Sequence, residues 1–140
     1  MSDAGFVDPE RAQFEAFKGL PRDTPIHMLN LVRFRAQAAY PDGRGGTGAE
    51  AYAAYGRESS PVLSRVGGRI HWTGGFETVL IGPEDEQWDA VFIAEYPNAG
   101  AFLAMVTDPE YQRAVIHRQA AVETSRLIRV KPGVAGAGFG

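Results

Sequence analysis

The sequence contains no cysteine, which excludes disulfides, cysteine nucleophiles and thiolate zinc sites. No run approaches the ~20 apolar residues that a transmembrane helix needs, and the start, MSDAGFVDPE, lacks the basic and apolar regions of a signal peptide. A basic excess is missing too: the net charge is -3, whereas nucleic acid and anionic membranes bind a basic face. We therefore expect a cytoplasmic protein whose partners are small molecules or proteins.

Motifs for phosphate, metal and nucleophile chemistry are also absent. The glycine-rich stretch YPDGRGGTG, within residues 36–48, lacks the lysine and hydroxyl of a P-loop, so we interpret it as a solvent loop that could alternatively approach a ligand. No serine lies in a strand-turn-helix elbow. The histidines His27, His71 and His117 are scattered without an HExxH pattern. We expect no metal, no haem and no other cofactor, with His117 only a nominal haem ligand.

One stretch, residues 67–96, organises the rest, because it reads as two long strands joined by a polar turn at residues 82–87. In the second strand both sets of alternate residues are largely apolar, which predicts burial on two sides. One set is Trp88, Ala90, Phe92, Ala94 and Tyr96, and the other is Val91, Ile93 and Glu95. The chain has helices enough for one face of this sheet, so a second copy is predicted on the other, in an obligate homodimer.

The other elements follow from turn and cap signals along a chain of one-domain length, 140 residues. Residues 1–25 are predicted to be a helical extension, 26–130 the core and 131–140 a flexible tail. We predict first a helix capped by Asp8 and ending at Gly19, then a strand over 26–34, then a helix that carries Tyr52 and Tyr55 and has a kink or fresh start at Pro61. The next strand is predicted to have Ile70 and Trp72 on one face and a bulge at Gly74 and Gly75. After the second strand of this hairpin, we predict helices capped by Asn98 and Asp108 and a last strand over 125–130.

Two polar residues fall on predicted apolar faces. Asn30 is either satisfied by neighbouring backbone or a polar anchor in a pocket. Arg118 either packs its stem while its guanidinium reaches water or pairs with an acid such as Glu95 or Glu123, or it binds an anionic or carbonyl-bearing ligand. The full set of candidate ligand-binding residues is Asn30, Trp72, Arg118, His117, Glu95 and Tyr55.

The predicted core has the element order βαββαβ, which is that of the ferredoxin-like α+β fold: a four-stranded antiparallel sheet with helices on one face. Within roughly residues 26–130, five stretches resemble the DUF1330 family of uncharacterised proteins, in the dimeric α+β barrel superfamily. They are LNLVRFR, EAYAAYG, GGRIHWTG, IGPEDEQWDAVFIAEYP and DPEYQRAVIHRQAAVETSRLI.

The resemblance implies two sheets packed face to face across a dimer, with a pocket between sheet and helices in each subunit. Relatives in that superfamily include cofactor-free monooxygenases, lactone isomerases, aldehyde dehydratases and haem-binding chlorite dismutases. It carries no catalytic residue over to this chain, and a fold alone does not select a function. Two classes remain: a cofactor-independent isomerase, lyase or monooxygenase for a small apolar carbonyl or phenolic compound, and a non-catalytic dimeric metabolite-binding protein.

Overall fold

The computed structural model describes residues 5–134 and 136–139. Its helices and strands form a ferredoxin-like core that is preceded by one helix. They are α1 (Arg11–Gly19), β1 (Ile26–Phe34), α2 (Gly48–Arg65), β2 (Arg69–Gly74), β3 (Ala90–Tyr96), α3 (Ala99–Thr107), α4 (Pro109–Ala121) and β4 (Val122–Val130). Within the described ranges, no helix is long and apolar enough to cross a membrane. The predicted tail includes positions 135 and 140, which lie outside the described residues, as do positions 1–4.

The four strands form one antiparallel sheet in the order β2-β3-β1-β4. Alternate residues of β1, including Ile26, Met28 and Val32, are buried on the side that the helices cover. Ile26 and Met28 pack with residues of β3 and of all three core helices, which are Val62, Ala94, Tyr96, Ala99, Phe102, Met105 and Tyr111. Val32 packs in a second cluster with Ala51, Ala121 and Val122. The predicted alternation is confirmed within β3, because its register pairs Ala94 with Met28 on this side and Ile93 with Leu29 on the other. It does not extend to Trp88, which lies before the strand and has its ring beside Arg126 of β4.

The predicted long hairpin is wrong in its length. Strand β2 stops at Gly74, and residues 75–89 form a loop in which Leu80 and Ile81 are over nine-tenths exposed. The bulge also lies earlier than predicted, between Ile70 and Trp72. Because a bulge adds one residue to a strand, it reverses the facing of every residue after it. Ile70 and Trp72 therefore lie on opposite faces of the sheet and not on one face.

Three predicted helix boundaries are confirmed and two are wrong. Asn98 and Asp108 cap α3 and α4 through their side chains, and α1 ends at Gly19 as expected. However, Glu10 and not Asp8 precedes α1, and it makes no side-chain cap bond. Helix α2 continues through Pro61, so the predicted fresh start is wrong, while the alternative of a kink stays a prediction. Strand β4 also begins at Val122, three residues before the predicted residue 125, directly after α4.

Arg118 has a structural role that the sequence did not reveal. Its side chain is buried, and its guanidinium donates to the Val7 carbonyl and, over 3.2 Å, to Ser125 Oγ. Ser125 Oγ in turn donates to the Phe6 carbonyl over 2.7 Å. The predicted pairing with Glu95 or Glu123 is therefore wrong: among the described contacts of Arg118, the partners are a carbonyl and a hydroxyl of the segment and strand that it joins.

We expect Arg118→Lys to destabilise the fold, because an ammonium cannot reproduce the fork that reaches Val7 and Ser125 together. The loss should be about 1.5–3 kcal/mol, the usual range for hydrogen bonds to a charged group, measured by urea denaturation. The matched control is Arg113→Lys, an exposed arginine of the same helix, which should change little. Equal stability of the two variants would contradict this structural role.

Candidate functional site

The six candidate residues occupy three separate places. Asn30, Tyr55 and Arg118 lie between the sheet and its helices, whereas Trp72 and Glu95 lie on the opposite, helix-free sheet face. His117 lies on α4 beside the segment that follows β1. Asn30, Trp72 and Arg118 therefore do not line one pocket as predicted, because the sheet separates Trp72 from the other two.

The interior polar residues described here have hydrogen-bond partners within the protein. Asn30 is buried and its Nδ2 donates to the Met28 carbonyl over 3.0 Å, which is the neighbouring-backbone alternative. The Tyr55 and Tyr111 hydroxyls lie 2.9 Å apart. Burial raises the pKa of Tyr111 and of Tyr52, although the charge of Arg118 opposes both shifts. These phenols stay neutral at physiological pH, and the interior network is suited to holding α2 against α4.

A second polar group connects three parts of the chain at the surface of the helical layer. His117 Nδ1 lies 2.6 Å from the Tyr40 hydroxyl, and His117 Nε2 lies 2.9 Å from Glu58 Oε2. The imidazole side chain is only 15% exposed, whereas Glu58 is half exposed. We call Tyr40, His117 and Glu58 the relay. A carboxylate, an imidazole and a phenol in this order form a continuous path for a proton.

Backbone contacts fix the relay in place. Ala39 donates its N–H to the Ala120 carbonyl over 2.9 Å, which places Tyr40 beside α4. At the other end of the loop that joins β1 to α2, Thr47 caps α2 through two reciprocal hydrogen bonds with Glu50, a capping box. Gly48 approaches Arg35 so closely that a Cβ at residue 48 would lie 2.0 Å from the Arg35 carbonyl oxygen. Glycine is therefore required where α2 begins.

The glycine-rich stretch forms a loop beside the relay. Arg44 lies with its guanidinium carbon 4.5 Å from the centre of the Tyr40 ring and binds Asp42 through two nitrogens, over 3.0 and 2.7 Å. This hydrogen bonding lowers the pKa of Asp42 to about 2. Gly43 and Gly46 have φ values of 77° and 122°, which favour glycine. The loop therefore presents one fixed charge pair over Tyr40.

The helix-free face has a polar row at one end. Glu95 accepts from Arg69 Nε over 2.8 Å through Oε2, and its Oε1 lies 2.9 Å from His71 Nδ1. The hydrogen bond from Arg69 is the main cause that lowers the pKa of Glu95, so this carboxyl is ionised. The rings of His27 and His71 lie 4.7 Å apart between centroids. Two of the histidines that are scattered along the sequence are thus neighbours in space.

Sequence reasoning missed Tyr40, Glu58 and the proximity of His27 to His71. Tyr40 begins the glycine-rich stretch that was interpreted as solvent loop, and Glu58 lies on a predicted helix without any motif. The register of β1 against β3, which places His27 opposite Glu95, depends on pairing over a long sequence separation. In the sequence, only the position of His117 on the same predicted helix as Arg118 pointed towards the relay.

The chain is similar to two crystal structures that cover nearly all of it. One is a protein of unknown function from Rhodopseudomonas palustris, with 61% identity over 93% of this chain and 98% of that chain and a TM-score of 0.89. The other is the methylated form of that protein, with 61% identity over 96% and 99% of the chains and a TM-score of 0.92.

A more distant similarity concerns the fold alone. SnoaB, a cofactor-independent oxygenase from Streptomyces nogalater, is 16% identical over 81% of this chain and 98% of its own, with a TM-score of 0.51. No curated protein matches the chain. Residues 46–131 match the family described as a domain of unknown function, DUF1330. Since that match spans more than half of the sequence, the chain belongs to the DUF1330 family.

Proposed function

We propose that this protein is a cofactor-independent enzyme of the isomerase or lyase class that moves a proton on a small carbonyl or phenolic compound. The observation that carries the proposal is the relay, in which His117 lies within hydrogen-bond distance of both Tyr40 and Glu58. General acid and base catalysis needs a positioned group that can both take and return a proton. The Tyr40 hydroxyl, next to the imidazole, meets that requirement.

The contacts assign a role to each member of the relay. Because the Glu58 carboxylate only accepts hydrogen bonds, it holds a proton on His117 Nε2, and the Nδ1 lone pair of the neutral ring faces the Tyr40 hydroxyl. Nδ1 can then take the phenolic proton while the Tyr40 oxygen removes a proton from the carbon next to a substrate carbonyl. When the substrate carries a β,γ double bond, it becomes a dienolate, and return of the proton to the γ-carbon completes an isomerisation while His117 gives its proton back to Tyr40.

The loop beside Tyr40 places a cation over its ring. Arg44 is that cation, and Asp42 keeps it oriented through two hydrogen bonds. The guanidinium attracts negative charge that develops on the Tyr40 oxygen, but the pairing with Asp42 and the exposure of both side chains weaken this attraction. Tyr40 also packs with the apolar cluster around Val32 and Ala121, so one side of the ring is shielded from water. These features favour an apolar substrate with one carbonyl or phenol oxygen.

The relay predicts that wild-type protein exchanges a substrate proton for deuterium in heavy water. A panel of small ketones, dicarbonyl compounds and phenolic acids can be followed by proton NMR. For a compound that exchanges, Tyr40→Phe should lower the rate by about 100-fold or more, because it removes the group that carries the proton. Glu58→Gln should lower the rate by at least about 10-fold, since an amide can present the imidazole in the wrong tautomer.

The control for Glu58→Gln is Glu110→Gln, which also removes a surface ion-pair partner, that of Arg65, but lies outside the relay. It should keep the wild-type rate. Exchange at equal rates in wild type and Tyr40→Phe would contradict the proposal. A panel compound that binds without any exchange would instead assign the protein to non-catalytic metabolite binding.

We also propose that the protein is a homodimer joined through the helix-free face of the sheet. Leu29 and Ile93 stand opposite each other at the centre of this face. Trp72 is 50% exposed there, and Ile128 is 44% exposed. A soluble monomer rarely leaves such a patch open, and a second copy would present the same apolar surface. The helices of the chain pack on the other face, so they do not cover this one.

Two substitutions on β3 separate assembly from folding. Ile93→Asp should yield a monomer, because the charge lies on the proposed interface, whereas Phe92→Asp should unfold the chain, because Phe92 faces the helical layer opposite Asn30. Light scattering after gel filtration should give about twice the chain mass for wild type. Ile116→Asp, at an exposed position on α4, should stay dimeric. A monomeric wild type at micromolar concentration would contradict the assembly.

A further inference from the structure

The polar row on the helix-free face combines three metal-ligating side chains from three adjacent strands. His27 lies on β1, Glu95 on β3 and His71 on the edge strand β2. One donor atom from each lies within 4.8 Å of the other two. We propose that His27, His71 and Glu95 bind one divalent first-row transition metal ion.

The distances fit such an ion after a small movement. In a tetrahedral site with bonds near 2 Å, ligand atoms are ~3.3 Å apart. Glu95 Oε1 lies 2.9 Å from His71 Nδ1 and 4.0 Å from His27 Nε2. No two of the three donors are more than 4.8 Å apart, so side-chain movements of ~1.5 Å or less would bring them to coordination distance. The imidazole of His27 is 20% exposed and lies beside that of His71.

A neighbouring arginine already orients the Glu95 carboxylate. Arg69 Nε donates to Glu95 Oε2 over 2.8 Å, which leaves Oε1 directed at the histidines. Outer hydrogen bonds of this kind fix the orientation of ligating groups in metal sites. The β-bulge contributes as well: regular pairing would place His71 opposite Ile93, but the bulge gives that place to Trp72. His71 is thereby left next to Glu95.

The donor set selects the class of ion. Two imidazole nitrogens and one carboxylate oxygen suit Zn²⁺, Co²⁺, Ni²⁺ or Fe²⁺, whereas Ca²⁺ and Mg²⁺ prefer oxygen alone. Three protein ligands leave at least one coordination position for water. The relay lies in the helical layer, on the other side of the sheet, so this site is independent of the proposed proton transfer and of its test.

The test uses the full-length chain without an affinity tag, stripped of metal with a chelator. Zn²⁺ is measured by competition with a chromophoric chelator, and Co²⁺ by its visible absorption. We expect one ion per chain, and at least about 10-fold weaker binding in His71→Ala, His27→Ala and Glu95→Gln, each of which removes one ligand. His117→Ala removes the histidine outside the cluster and should bind as wild type does.

His71 is exposed, so His71→Ala is the variant whose fold should be least affected, and a circular dichroism melt checks each variant. Absence of Zn²⁺ and Co²⁺ binding by wild type at micromolar ion would overturn the proposal. Binding that survives both histidine substitutions in the cluster but disappears in His117→Ala would also overturn it, because it would move the site to α4.

Discussion

Side chains leave β1 alternately on its two sides, and this alternation decides which polar groups enter the helical layer and which lie on the helix-free face. Ile26, Met28 and Asn30 enter the layer shared with the helices, while His27 and Leu29 enter the opposite face. Because β1 pairs with both β3 and β4, its register sets the facing of those strands too. A shift by one residue would exchange the buried and the open residues of the central strand, so register and function depend on each other.

The two faces treat polar groups differently. On the helix side, Arg118 and Asn30 are buried, and in the hydrogen bonds described for them they donate to backbone carbonyls and a serine hydroxyl. Such groups stabilise the fold because leaving them unpaired in the interior is costly. On the open face and at the relay, imidazoles stand next to carboxylates and stay partly accessible. Accessible imidazole–carboxylate pairs can exchange protons or bind ions, which the satisfied interior network cannot do.

Most of the fold could be predicted from the sequence because local rules decide it. The alternation of β3, the boundaries of β1 and the caps Asn98 and Asp108 all depend on residues close together in the chain. The resemblance to DUF1330 is confirmed over residues 46–131, which do not include β1. The errors also have local causes: Leu80 and Ile81 are apolar residues with strand-like character, yet the sheet ends before them and leaves them in a loop.

The candidate site was less predictable, since its geometry depends on contacts over long sequence separations. Arg118 was correctly placed on an inward stripe, but its partners, Val7 and Ser125, lie in parts of the chain that no helical pattern connects to it. Trp72 was placed on the wrong face because the bulge has no clear signal in the sequence. Tyr40 and Glu58 meet His117 only after α2 and α4 have packed together.

The bulge in β2 also bears on how two chains can meet. β2 is an edge strand of six residues, and its hydrogen-bonding edge is interrupted between Ile70 and Trp72 and ends at Gly74. An incoming strand would lose its register at that interruption, so extending the sheet from one chain into another is unfavourable along this edge. The same irregularity that turns Trp72 outward thus discourages edge-to-edge polymerisation through β2.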